Sequence, residues 1–253
     1  MRTILIGLLF IIFFILSVPL FLLELIIGIF SISARTILAQ KIISVMARAV
    51  LLLGGVSVTV LGAENVPKDE AVVYVFNHRS YFDIVICYST APNPAGFISM
   101  KKMKDVPFIN IWMIFLRCLF IDRGNTREGL KTIEAGVELL KKGHSIFIAP
   151  EGKRNFSGVY DMLPFKEGSF RLAKKTGCAI IPVAINNADK IYEAQAPWIK
   201  KTDVIIEYGR PIYIKDLDGD NRKFVGAYVQ KIIHDMLRKN QNILDEKRLF
   251  FNS

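Results

Sequence analysis

The sequence is poor in the residues that build disulfide frameworks and metal sites. Its three cysteines, Cys87, Cys118 and Cys178, are far apart, lie in apolar stretches and show no metal-ligand spacing. We therefore predict reduced core cysteines, a folded domain that faces the cytosol, and no metal site. The chain also lacks internal repeats and low-complexity linkers, so its 253 residues favour one large domain with an appendage.

Histidines are few, three in all, and no G-x-S-x-G segment occurs. That motif places the nucleophilic serine of many hydrolases on a sharp turn, so its absence weighs against this class. A serine or cysteine hydrolase stays open as an alternative, because Ser80 and Cys87 are near His78 in the sequence.

Acidic residues are outnumbered, with 23 Asp and Glu against 33 Lys and Arg and a net charge of +10. Such a chain is attracted to polyanions. Its cations do not alternate with aromatic residues in a strip, so we expect no nucleic acid partner. An anionic membrane surface is the expected partner, and a non-catalytic protein that reads anionic lipid is a further alternative.

Long hydrophobic runs, by contrast, are concentrated at the N-terminus. Residues 4–30 are almost continuously apolar, interrupted by Ser17, Pro19 and Glu24, and roughly 20 apolar residues suffice to cross a bilayer. A cleaved signal peptide fits poorly, because its apolar core is shorter and no small-residue cleavage site follows. Glu24 and Pro19 disfavour a clean span, so we favour a monotopic anchor and keep a single span as the alternative.

Residues 33–53 have a different, amphipathic pattern, with polar side chains on one face: Gln40, Lys41, Ser44 and Arg48. The pattern is typical of a helix at the membrane interface and equally of a helix packed on a domain core. We expect membrane-anchoring helices in residues 1–55 and an α/β domain in residues 56–253.

Beyond residue 55, short apolar runs alternate with helical patterns, which predicts a mixed, largely parallel sheet of about seven strands flanked by helices. The candidate strands are Val56–Val60, Val72–Phe76, Gly96–Met100, Cys118–Ile121, Ser145–Ala149, Ala179–Ile185 and Val204–Tyr208. An apolar stripe predicts a helix over Arg127–Lys142, with Thr126 as its cap and Gly143 at its end. Arg171–Thr176 and a C-terminal stretch show further helical spacing.

His78 and Asp83 follow the second predicted strand on one short turn. Histidine is suited to take a proton from a hydroxyl near neutral pH, and a carboxylate on its other ring nitrogen fixes the tautomer. The pair is therefore a candidate catalytic dyad. Asp83 could also be the N-terminal cap of a helix over Ile84–Tyr88.

Cationic and polar residues follow three other predicted strands: Lys101, Arg123, Glu151, Gly152 and Arg154. Ligands of open α/β sheets bind beyond the carboxyl ends of the strands, so we expect these clusters to converge around His78. Arg and Lys suit a phosphate, and Gly152 lets backbone approach a ligand closely. Glu151 would accept a hydrogen bond from a substrate hydroxyl or hold an arginine.

Five segments together resemble the glycerolipid acyltransferase family. Asn77–Asp83 looks like its H-x-x-x-x-D block, and further blocks are similar to Phe120–Arg123, Pro150–Asn155, Pro164–Ser169 and Ile181–Val183. Order and spacing agree over roughly residues 56–208. The chain departs from the family pattern at Arg117, where a Gly is usual, at Lys153, where a Thr is usual, and at Lys102-Met103, where Glu-Leu is usual.

The resemblance implies transfer of a fatty acyl group to the hydroxyl of lysophosphatidate at the cytoplasmic side of the inner membrane, and glycerol 3-phosphate or another lysophospholipid stays open as the acceptor. The acyl donor would be the acylated acyl-carrier protein or acyl-CoA, a co-substrate and not a bound cofactor. His78 would be the general base, oriented by Asp83, with direct attack and no acyl-enzyme. Arg154, Arg123 and Lys101 would hold the phosphate, and Gly152 and Glu151 would shape that pocket. Phe120 and Pro182 would support the acyl pocket.

Overall fold

The computed structural model describes residues 1–122, 124–158 and 160–252. The helices are α1 Arg2–Phe30, α2 Ile32–Gly54, α3 Phe82–Thr90, α4 Ile109–Phe115, α5 Thr126–Lys141, α6 Arg171–Thr176, α7 Gly219–Lys223 and α8 Val225–Asn252. The strands are β1 Val56–Leu61, β2 Val73–Phe76, β3 Ala95–Met100, β4 Leu119–Ile121, β5 Ser145–Ile148, β6 Ile180–Asn186 and β7 Thr202–Tyr208.

The strands form one sheet in the order β1-β7-β6-β2-β5-β3-β4. The five strands from β6 to β4 run parallel, β7 is antiparallel to β6, and β1 runs parallel to β7. The predicted mixed, largely parallel sheet is therefore confirmed. The carboxyl ends of the five parallel strands lie at one edge, called the carboxyl edge below, and β1 and β7 begin there.

Helices cover both faces of the sheet, so the central strand β2 is buried on both sides. Tyr74 and Phe76 point into a core with α1 to α4, while Val73 and Val75 point into a second core with α5, α6 and α8. In the first core, Tyr74 stacks on Phe147 with ring centroids 4.3 Å apart. Near-continuous apolar runs are what parallel strands with two covered faces require.

The two N-terminal helices form a hairpin against the domain. Both are long and apolar enough to cross a membrane by length and composition. One side of α1 packs inward, where Trp112 Nε1 donates to Ser17 Oγ at 2.9 Å, and most of its apolar side chains are exposed. This exposed apolar face indicates association with a membrane. The division of the chain at residue 55 stays a prediction.

Helix α2 packs between α1 and α3, which is the second of the two interpretations left open by its pattern. Arg48 Nε donates to the Ser89 carbonyl at 3.2 Å, so part of its polar face bonds to the domain. The prediction of Thr126 as the cap of α5 is wrong. Asn125 is the cap, and its side chain accepts from Glu128 N at 3.1 Å.

Candidate active site

His78 and Asp83 form a hydrogen-bonded pair just beyond the end of β2. His78 Nδ1 lies 2.9 Å from Asp83 Oδ2, the Asp83 side chain is 1% exposed, and the His78 side chain is 20% exposed. Among the described residues, His78 Nε2 has no hydrogen-bond partner. The ring thus keeps one nitrogen on the carboxylate and the other available to a substrate hydroxyl, which is the geometry of a general base.

Asp83 does not cap a helix. It lies inside the first turn of α3, whose cap residue is Tyr81. Its Oδ2 also accepts from the backbone N–H groups of Arg79 and Ser80, each at 2.8 Å. The carboxylate therefore holds the turn that carries His78 as well as the imidazole, and the alternative role as a cap is wrong.

Glu151 holds the backbone of His78. Its Oε1 accepts from His78 N at 3.1 Å, and its Oε2 accepts from Leu163 N at 2.9 Å. Asn155 N donates to His78 O at 2.8 Å, so the loop after β5 bonds both sides of this residue. Burial raises the pKa of the Glu151 carboxyl, and the two N–H donors oppose that shift. Glu151 accordingly positions His78, which differs from the expected contact with a substrate hydroxyl or an arginine.

The nearby Ser80 and Cys87 are poorly placed as nucleophiles. Ser80 Oγ donates to Glu193 Oε2 at 2.7 Å instead of to His78. Cys87 is fully buried, and burial raises the pKa of its thiol well above the usual value. The thiolate is the nucleophilic form of cysteine, so this environment disfavours it.

Arg154 lies beside the dyad on the ring of Tyr81. Its guanidinium carbon is 3.7 Å from the Tyr81 ring centroid, and one of its nitrogens donates to Tyr81 Oη at 2.9 Å. Glu193 pairs with Arg154 at 3.4 Å and also accepts from Tyr81 N at 2.8 Å. Glu193 thus joins the His78 turn to Arg154. Sequence reasoning missed it, since no local signal marks a residue beyond β6 as a contact of β2.

Gly152 adopts a φ of 79°, and Lys166 lies directly over it. A Cβ at Gly152 would be 2.8 Å from Lys166 Nζ, so a side chain there would displace the lysine. Lys166 forms no ion pair with a described residue. It is a second cation beside the loop after β5, and the sequence pattern had included it in Pro164–Ser169 without giving it a role.

Lys101 lies among carboxylates and not, as expected, among cations around His78. Its Nζ lies 2.9 Å from Glu128 and 3.3 Å from Asp122, on the side of the sheet edge formed by β3 and β4. The structure therefore pairs it with carboxylates. Arg123, the third predicted phosphate ligand, lies outside the described residues.

An apolar cavity of about 310 Å³ opens beside Tyr81. It runs between α1, α2, α3 and α4, within the volume range of small-molecule sites. Its walls include Phe13, Ala47, Tyr81, Val85, Tyr88 and Met113.

Phe120 and Pro182 do not line this cavity. Phe120 lies on the edge strand β4 under the Lys104 ammonium, 5.2 Å away, and Pro182 is inside β6, paired with Val75. The expectation that these two residues support an acyl pocket is therefore not met at this cavity. Helices α1 to α4 form it instead, and their contribution depends on tertiary packing.

The fold and site define an α/β protein with a hydrogen-bonded His–Asp pair, a nearby arginine and an apolar cavity. The chain belongs to the acyltransferase family, whose family model matches residues 57–186, just over half of its length. The resemblance found in the sequence is thereby confirmed.

Relatives with assigned names are similar over much of the chain. A protein of Borreliella burgdorferi named 1-acyl-sn-glycerol-3-phosphate acyltransferase is 32% identical over 65% of this chain and 62% of its own length. A Saccharomyces cerevisiae protein of the same name is 29% identical over 74% of this chain and 60% of its own length. The chain thus spans about three fifths of the length of these two relatives. The human 1-acyl-sn-glycerol-3-phosphate acyltransferase alpha is 26% identical over 90% of this chain and 80% of its own length.

A solved structure has the same fold. The crystal structure of the 1-acyl-sn-glycerophosphate acyltransferase from Thermotoga maritima superposes with a TM-score of 0.72, covering 95% of this chain and 98% of that chain at 22% identity. This likeness confirms the architecture of a mixed seven-stranded sheet flanked by helices.

Proposed function

We propose that this protein transfers a fatty acyl group from an acyl thioester to the sn-2 hydroxyl of 1-acyl-glycerol-3-phosphate, giving phosphatidic acid for phospholipid biosynthesis. The observation that carries the proposal is the His78–Asp83 pair, with Nε2 available, beside an apolar cavity and Arg154. The names of the relatives support this acceptor. The thioester is the acylated form of acyl-carrier protein or acyl-CoA, and it is a co-substrate, not a bound cofactor.

In the proposed reaction, His78 Nε2 takes the proton of the acceptor hydroxyl while the hydroxyl oxygen attacks the thioester carbonyl carbon. The C–S bond of the tetrahedral intermediate then breaks, and the leaving sulfur takes the proton from the imidazolium. Asp83 stabilises the imidazolium between these two steps. No acyl-enzyme forms, in keeping with the bonding of Ser80 to Glu193 and the burial of Cys87.

We assign the acceptor phosphate to Arg154 and Lys166, beside the Gly152 backbone. Arg154 uses two nitrogens for Tyr81 and Glu193, and its remaining N–H groups can bind phosphate oxygens. Lys166 supplies a point charge over Gly152. Lys101 is paired with two carboxylates, so we assign it no direct contact with the phosphate.

We propose a monotopic anchor in which α1 inserts its exposed apolar face on the cytoplasmic side of the inner membrane. Ile11 and Leu22, 57% and 61% exposed, belong to that face. Their replacement by Asp should release protein from membranes into the soluble fraction. Truncation is a poorer test, because α1 also packs on Trp112 through Ser17.

The reaction is tested with purified protein and labelled substrates. Acyl-CoA and acylated acyl-carrier protein are each tested as donor with lysophosphatidate, glycerol 3-phosphate and lysophosphatidylcholine as acceptors. The products are separated by chromatography. We expect phosphatidic acid from lysophosphatidate, and turnover of another acceptor alone would overturn the assignment.

His78→Ala should abolish most of this turnover, and Arg154→Ala should mainly raise the acceptor KM. A matched control exists on α8, where His234 lies 3.5 Å from Asp235 on the surface. His234→Ala should leave the rate unchanged. Equal losses in both histidine variants would contradict the role of the dyad.

A further inference from the structure

The turn between β6 and β7 exposes a tryptophan. The chain has two tryptophans; Trp112 is 3% exposed in the core, whereas Trp198 is 60% exposed. Tryptophan is enriched where membranes meet water, because its ring is apolar and its N–H is polar.

This turn is tied to the beginning of α1. Ile199 N donates to Thr3 Oγ1 at 3.0 Å. The exposed apolar face of α1 begins one residue later, with Ile4 at 64% and Leu8 at 51% exposure. Trp198 therefore lies at the end of the inserted face, where a membrane surface has to pass. The turn is also at the carboxyl edge, since β7 begins there.

Cations accompany the tryptophan. Lys200 and Lys201 lie two and three residues after it and are exposed. They line a polar cavity of about 290 Å³ together with Lys190 and Arg248. Among the described residues none of these four cations forms an ion pair. Two acids, Asp203 and Asp245, lie in the same cavity, so the cations are in excess.

We propose that residues 194–201 form a second membrane contact outside the α1–α2 hairpin, and that this second contact binds anionic phospholipid. Trp198 enters the interface, and Lys200 and Lys201 bind lipid phosphates. Continuity with the apolar face of α1 favours a lipid surface over an acidic protein. The proposed contact rests on the proposed membrane association. It also bears on catalysis, because Glu193, the residue directly before this segment, accepts hydrogen bonds from Tyr81 and Ser80.

The test uses the fluorescence of Trp198 in the full chain reconstituted into vesicles. Trp112→Phe leaves Trp198 as the emitter, and subtracting the spectrum of Trp198→Phe from that of the wild type gives the same signal without disturbing Trp112. Vesicles contain brominated phosphatidylcholine with or without phosphatidylglycerol, and acrylamide reports access from water. We expect a blue-shifted emission, stronger bromine quenching and weaker acrylamide quenching when phosphatidylglycerol is present.

The variant Lys200→Gln/Lys201→Gln should largely abolish this difference. Each cation near an anionic surface favours contact by about five-fold, so the two together shift the docking equilibrium by roughly 25-fold. The matched control is Lys141→Gln/Lys142→Gln, an exposed lysine pair at the end of α5, on the opposite edge of the sheet. It should behave as the wild type.

Equal acrylamide access in both kinds of vesicle would overturn the proposal. So would a Lys200/Lys201 variant that keeps its lipid quenching and loses only turnover with acyl-carrier protein, since that result would assign the surface to an acidic protein. Because the readout is fluorescence, either failure leaves the proposed acyl transfer to be judged by its own assay.

Discussion

Replacing Asp83 by Asn removes a charge and keeps the shape of the side chain. In the protein, Asp83 Oδ2 accepts from His78 Nδ1 and from the N–H groups of Arg79 and Ser80. An amide oxygen can accept the same three donors, so the turn and the tautomer of His78 should persist. The amide nitrogen would occupy the site of Oδ1, which is buried without a partner, at a cost of about 1–3 kcal/mol in stability.

The catalytic cost follows from the distance between the charges. The ring nitrogen and carboxylate oxygen are 2.9 Å apart, and the centres of the two charges are about 4 Å apart. At an effective dielectric constant near 20, a carboxylate stabilises an imidazolium there by about 4 kcal/mol. The amide dipole retains part of this attraction. Because about 1.4 kcal/mol corresponds to a tenfold rate change, Asp83→Asn should lower kcat by about 10²–10³-fold.

The assay is steady-state acyl transfer to lysophosphatidate at saturating thioester, with thermal unfolding of each variant to show that it is folded. The acceptor KM should change little, since Asp83 bonds to His78, Arg79 and Ser80 and not to the proposed phosphate ligands Arg154 and Lys166. Asp83→Ala should be less stable as well as inactive, because the three donors lose their acceptor. A folded Asp83→Asn enzyme with kcat within tenfold of the wild type would refute the electrostatic role.

Three further predictions follow from other parts of the protein. Glu193→Gln leaves one acceptor oxygen for the two donors of Ser80 and Tyr81, so kcat should fall about tenfold, and unchanged kinetics would contradict the link between the β6–β7 turn and the dyad. Ala47→Phe narrows the apolar cavity and should shift the preference to shorter acyl donors, measured as kcat/KM over a series of chain lengths; an unchanged preference would place the acyl chain elsewhere. Burial lowers the pKa of His144 from 6.5 to about 4. The His144 imidazole therefore stays neutral in the folded protein, whereas in the unfolded chain it takes up a proton as the pH falls below 6.5. Stability should therefore be about 2 kcal/mol lower at pH 5 than at pH 7, and a chemical unfolding curve of His144→Gln should lose less over that interval.

The strands were predictable because each is a short apolar run between polar turns. All seven predicted strands are present, with ends shifted by up to two residues. Parallel strands buried on both faces need such apolar runs, so each strand can be recognised from its local sequence. Helix α5 was predicted for the same kind of reason, from its apolar stripe. Helix α4 was missed, because Ile109–Phe115 is short and, apart from Asn110, wholly apolar, so it shows no apolar stripe.

The dyad was predictable and its supports were not. His78 and Asp83 are five residues apart on one turn, so their meeting is nearly a local event. Glu151, Lys166 and Glu193 reach the site from 73 or more residues away in the chain, through loops after other strands. Only the order of strands in the sheet brings such residues together.

By itself the sequence determined the strands, the apolar N-terminus and the His78–Asp83 pair, because each depends on residues that are close along the chain. The tertiary structure decided what these parts do together. It placed Lys101 among carboxylates, used Glu151 to hold the His78 backbone, and built the apolar cavity from four helices. The physical reason is that contacts between distant segments depend on strand order and helix packing, which no local pattern of residues encodes.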